Sequence, residues 1–190
     1  MKINKQLNLV VPVVDGDETI YIHSAPIGHE VFEKYHRVIG KTFSVIYSEG
    51  LNVVAGPRIA AMILKEVAQE MPRANESGNW WSGVDGVENG LMNEIRRLCS
   101  VAIPEADGWK SLPVDVAIKR ELISAETVRE AEGKIVFFTL ASVMHTGTQK
   151  TGMLEAMKEL WEVELTFLNS TEYINSLPML NVAANTQIAA

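Results

Sequence analysis

The sequence predicts a mainly α fold, a helical domain led by an N-terminal β-hairpin. Two observations predict the helices. Ile27, Val31, Tyr35, Val38, Ile39, Phe43, Ile46 and Tyr47 recur at helical spacing, and Ile59, Ala60, Ile63, Leu64, Val67, Ala68 and Met71 form a second stripe. With Gly50 and Gly56-Pro57 between them as breaks, the two stripes read as an antiparallel helical pair. A third observation predicts the hairpin. Leu7–Val14 is dense in β-branched residues, Thr19–His23 alternates, and Asp15-Gly16 between them supplies a turn.

Within the hairpin, Pro12 lacks the N–H of an interior ladder, so its strand is expected at an edge or at a bulge. The first helix is expected to run from Gly28 to Ser48. Its Gly40 costs about 1 kcal/mol relative to alanine, for which a close approach by another helix, such as one at Gly133, would compensate. Residues between Met71 and Val87 have no apolar period and read as a long loop carrying Trp80 and Trp81. A third helix is expected over Val87–Val101, followed by a connector through Ile103-Pro104 and Asp107-Gly108-Trp109. Pro113 would open a short helix to about Leu122. Ser124 reads as the N-cap of a central helix ending near His145. After a break at Thr146–Gly152, a last helix is expected from Met153 to about Thr166, with Leu154, Met157, Leu160, Trp161 and Leu165 apolar. The domain is thus placed at residues 1–168. Residues 169–190 are read as a partly flexible tail, the part beyond Pro178 adding little to stability.

A chain of 190 residues is long enough to bury a core without metal or disulfide. Its net charge of -7 argues against nucleic acid or an anionic membrane as partner and favours basic ones. The single cysteine, Cys99, is read as a small apolar filler on the third helix. With no signal-peptide start and no apolar run near the length of a span, the expected location is the cytoplasm.

No catalytic pattern stands out. His29, Glu33 and His36 share a helical face, but the spacing departs from the two-histidine zinc motif and suits a solvated face. His23 and His145 lack the neighbours of an activated nucleophile. Gly147–Gly152 lacks the spacing of a phosphate loop and reads as a connector. The expectation is a protein without enzymatic activity, metal or cofactor.

Several stretches resemble the tail assembly chaperones of long-tailed bacteriophages: Leu7–Val13, Tyr21–Ile27 leading into Phe32–Tyr35, Thr42–Gly50, Gly56–Ala61, Leu165–Tyr173 and Asn175–Pro178. The resemblance implies a protein that binds the tape measure protein, keeps it soluble and helps tail tube subunits polymerise around it. It also implies residence in the cytoplasm of the infected host and absence from the mature virion, with a frameshifted longer product common in such families. A homo-oligomer is compatible with it. A client-binding groove would be sought at Trp80 and Trp81, or on the face of the last helix carrying Leu154, Met157 and Trp161, whose methionine is adaptable. Rival readings are a structural virion component, such as a connector, tail or capsid protein, and an enzyme of unknown class.

Overall fold

A computed structural model describes residues 6–70, 87–105 and 108–178. Strands β1 (Asn8–Asp15) and β2 (Glu18–Ser24) pair antiparallel from Leu9↔Ser24 to Asp15↔Glu18, with Gly16 at φ +66° in the turn. This is the hairpin the alternation predicts. It belongs to something larger, because β3 (Cys99–Glu105), β4 (Gly108–Pro113) and β5 (Glu164–Thr166) join it in a five-stranded sheet of order β4-β3-β2-β1-β5.

Every pairing in this sheet is antiparallel. One face is apolar: Leu9, Val11 and Val13 stand beside Ile20 and Ile22, then Cys99, Val101 and Ile103, all buried. Against it pack α1 (His29–Ser48), α2 (Asn52–Glu70), α3 (Val87–Arg97), α4 (Val114–Lys119), α5 (Ala125–Met144) and α6 (Gly147–Trp161). The opposite face carries Asn8, Val10, Tyr21, His23 and Ala102, and α7 (Ser170–Ser176) covers part of it.

The fold is therefore a mixed α/β arrangement, and the expectation of a mainly α domain with a lone hairpin is overturned by the five-stranded sheet. Cys99–Glu105 was expected to close the third helix and enter a connector. Its short apolar run instead completes the sheet as β3, since burial beside β2 decides between helix and strand where so few residues show no period. Cys99 is buried as expected, but on a strand. The last helix ends at Trp161, five residues short of the expected Thr166, because Glu162 turns left-handed at φ 50° and Glu164–Thr166 pairs with β1. That helix also begins at Gly147, inside the expected break. Residues 170–176, assigned by sequence to the tail, form α7, opened by a reciprocal capping box between Asn169 and Glu172. Residues 179–190 lie outside the described residues.

Pro12 is opposite Tyr21, and β5 reaches only Asn8–Val10. Past Val10, β1 has no second neighbour among the described residues, so the proline sits at a local edge as the missing N–H requires. From Ala131 to Ala141, helix α5 is buried nearly all round, as a helix between a sheet and other helices must be. Ser124 caps it by accepting from the Thr127 N–H at 3.0 Å, and the Thr127 hydroxyl donates to Asp15 of the hairpin turn at 2.8 Å.

Gly56 and Pro57 do not separate two helices. Both lie inside α2, where that helix crosses α5. A Cβ on Gly133 of α5 would sit 2.6 Å from the Pro57 carbonyl oxygen, and a Cβ on Gly56 would strike the Phe137 ring. Gly133 thus faces α2 rather than Gly40, which has nothing within 4 Å of its own Cβ position. Gly133→Ala is expected to force the helices apart, costing about 1–3 kcal/mol and lowering Tm by roughly 5 °C. Gly40→Ala should raise stability by up to about 1 kcal/mol, because it removes only the helix penalty of glycine. Thermal melts of the two variants check both directions; equal effects would mean that the crossing is not tightly packed.

Candidate functional site

Of the residues singled out by sequence as client contacts, Leu154 and Met157 are fully buried in the core beneath α6. Trp161, at the end of the same helix, is partly buried, and its indole N–H donates to the Val53 carbonyl at 2.8 Å. The reason lies in α2. Pro57 has no N–H to offer the carbonyl four residues earlier, so Val53 loses its helical donor and the indole replaces it. The apolar face of α6 is thus occupied by α2, α5 and the core. Trp80 and Trp81 lie outside the described residues.

The sheet face covered by α7 holds an open cleft of about 700 Å³, lined among others by Asn8, His23, Ser100, Ser111, Phe167 and Glu172. Its organising atom is the Leu168 carbonyl oxygen. Asn8 Nδ2 donates to it at 2.8 Å, and His23 Nε2 lies 3.1 Å away. Because a carbonyl only accepts, His23 carries a proton on Nε2, which leaves Nδ1 as the acceptor of the neutral ring. Burial pushes the His23 pKa below the ordinary 6.5, and the hydrogen bond to Leu168 opposes this more weakly. Beside it, Tyr173 donates its hydroxyl to Glu164 at 3.2 Å and has its pKa raised, first by burial and then by that carboxylate. Tyr21 links this ring to Trp109, with centroids 5.5 Å apart, and the Trp109 indole donates to the Pro178 carbonyl at 3.0 Å. The segment from Leu168 to Pro178 is a strap held by polar contacts at its two ends and by Tyr173 between them.

Within the helical layer, Phe43 and Tyr47 stack at 4.3 Å, and His145 meets both rings. The Tyr47 hydroxyl lies 3.2 Å from His145 Nε2 and 3.1 Å from Met153 Sδ, tying α1, the end of α5 and α6 together. Burial raises the Tyr47 pKa. The thiol of Cys99 bonds to the Ile95 carbonyl at 3.2 Å and is pushed up to about 11 by burial, so it is protonated at neutral pH and a poor nucleophile. His29 pairs with Glu33 at 3.1 Å on an exposed helix face, while His36 Nδ1 lies 2.9 Å from the Glu33 backbone oxygen. Among the described residues, no group of three or more His, Cys, Asp or Glu is placed to hold a metal ion, and no helix is long and apolar enough to cross a membrane.

Chemically, then, the cleft offers hydrogen-bonding groups beside apolar ones, Leu98, Pro113 and the Phe167 ring, rather than an activated nucleophile. Comparison with family models, curated proteins and solved structures gives no match. Sequence reading missed the pairing of His23 and Asn8 with Leu168. The signal that was available, an Asn-x-x-Glu capping box at Asn169 and Glu172, marks a helix start inside the supposed tail.

Two outcomes follow from this geometry. Trp161→Phe should cost about 1–2 kcal/mol by leaving the Val53 carbonyl without a donor. Pro57→Ala restores a backbone N–H, so its presence should shrink the Trp161→Phe penalty in a double-mutant cycle measured by urea unfolding; additive effects would break the link. For His23, the folded pKa is depressed, so stability is present above pH 6.5 and is lost as pH falls from there toward the folded value. His23→Gln should flatten this loss in unfolding midpoints measured across that window. An unchanged slope would mean that His23 does not carry it.

Proposed function

We propose that this protein is a tail assembly chaperone of a long-tailed bacteriophage, which binds the tape measure protein and assists tail tube assembly in the host cytoplasm. One observation gives the resemblance weight beyond local sequence character. Three of the stretches that carry it come from opposite ends of the chain and meet in one unit: Leu7–Val13 runs into β1, Tyr21–Ile27 lies in β2 and the turn after it, and Leu165–Tyr173 spans the end of β5 and the start of α7, while Phe32–Tyr35 and Thr42–Gly50 belong to α1 and its end and Gly56–Ala61 to α2. Strand β1 pairs with both β2 and β5, and Leu168 accepts from Asn8 and binds His23.

Within that unit Phe167 is 57 % exposed and lines the cleft of mixed polar and apolar groups. A large ring in such a position suits an anchor for an apolar residue of a client, with polar groups around it fixing orientation. The client face is therefore drawn here, on the strap side of the sheet. The α6 face of Leu154 and Met157 would serve only if that helix moved off the core.

Co-expression with the tape measure protein of the same genome tests the reading. The wild-type chain should keep that protein soluble and co-elute with it. Phe167→Ser should reduce co-elution several-fold while leaving Tm nearly unchanged, because the ring contributes little burial. A tape measure protein equally soluble without the chain would overturn the proposal. Recovery of the chain in stoichiometric amount from purified particles would point instead to a structural virion component.

A further inference from the structure

A second cleft, of about 660 Å³, is bounded by α2, α3 and α5. Its charge contradicts that of the whole chain. Arg58 and Lys65 project from α2 and Arg129 from α5, all exposed, and none of the three has an ion-pair partner among the described residues. The cleft's carboxylate, Glu132, is engaged by Arg96, whose Nε donates to it at 3.1 Å, so it does not neutralise them. Met62, 61 % exposed, and Met92 supply an apolar floor.

We infer that this cleft binds an acidic amphipathic helical segment of a partner protein. Arg58 and Lys65 are seven residues apart on one helix, hence about 10.5 Å along its axis, with Met62 between them. A partner helix with carboxylates two turns apart and a leucine or methionine between them presents the matching pattern. The methionines favour a peptide over a free anion, since a thioether floor gives adaptable apolar contact and nothing to an inorganic ion. The net charge of -7 opposes a polyanion such as nucleic acid, whose charge extends far beyond the cleft, more than it opposes a short segment. At physiological salt a Debye length of about 8 Å lets the local cations dominate for a ligand seated among them. The inference stands on this cleft alone and does not rest on the tail-assembly reading.

The probe is a labelled helical peptide with Glu at positions i and i+7 and Leu at i+4, titrated with the full chain by fluorescence anisotropy. Binding should weaken as salt rises, and the same peptide with Lys for Glu should bind at least about tenfold more weakly. Joint Arg58→Glu and Arg129→Glu substitution should reverse that preference, with thermal melts showing the fold intact, since both side chains are exposed. Arg58→Lys should retain binding. Met62→Ser should weaken the acidic peptide without changing its salt dependence. The inference fails if the acidic peptide does not bind, if the reversed variant binds it as before, or if a single-stranded oligonucleotide displaces it at equal charge.

Discussion

The crossing of α2 over α5 at Gly56-Pro57 is the contact on which the rest of the structure depends. Absence of a Cβ at Gly56 and at Gly133 lets the two helices approach until the Phe137 ring and the Pro57 carbonyl fill the space side chains would take. A proline at this point lets α2 continue only if the carbonyl it orphans finds another donor. Trp161 is that donor, so the α2 irregularity and the end of α6 are fixed together. Just beyond Trp161, the left-handed Glu162 turns the chain toward the sheet, where Glu164–Thr166 adds a strand to β1 and delivers α7 to the other face. A packing constraint among helices thus reaches the surface proposed to meet a client.

That surface is held by few polar contacts, each well placed. Two side chains from the hairpin converge on the Leu168 carbonyl, and Tyr173 fills the space between strap and sheet. Low local dielectric strengthens such bonds and penalises any charge introduced beside them, which is why the His23 ring is held neutral. The strap is short, and small segments of this type open more readily than the core strands beneath them.

Net charge describes this molecule poorly because its charges are unevenly placed. The excess of carboxylates sets long-range repulsion between copies and away from polyanions. Three cations with no ion-pair partner among the described residues, beside two methionines, create a local field of the opposite sign. The two proposed surfaces thus differ in chemistry, one mixed with an exposed phenylalanine and one cationic with two methionines.

What the sequence by itself determined were the features with local causes. The hairpin followed from alternation and an Asp-Gly turn, α1 from its apolar stripe, and α5 from a serine cap that accepts from Thr127. Even the edge character imposed by Pro12 was legible, because a missing N–H is a property of the residue alone. Tertiary structure decided the rest. Cys99–Glu105 is too short for its period to separate helix from strand, and only pairing with β2 makes it β3. Three-residue β5 exists because β1 offers it an edge. Gly56-Pro57 looks like a helix break because its compensation comes from Gly133, Phe137 and Trp161, far along the chain. The stripe of Leu154, Met157 and Trp161 was legible as apolar, yet an apolar stripe is the same whether it meets its own core or a partner. Which of the two it meets depends on the space that remains once α2 and α5 have packed.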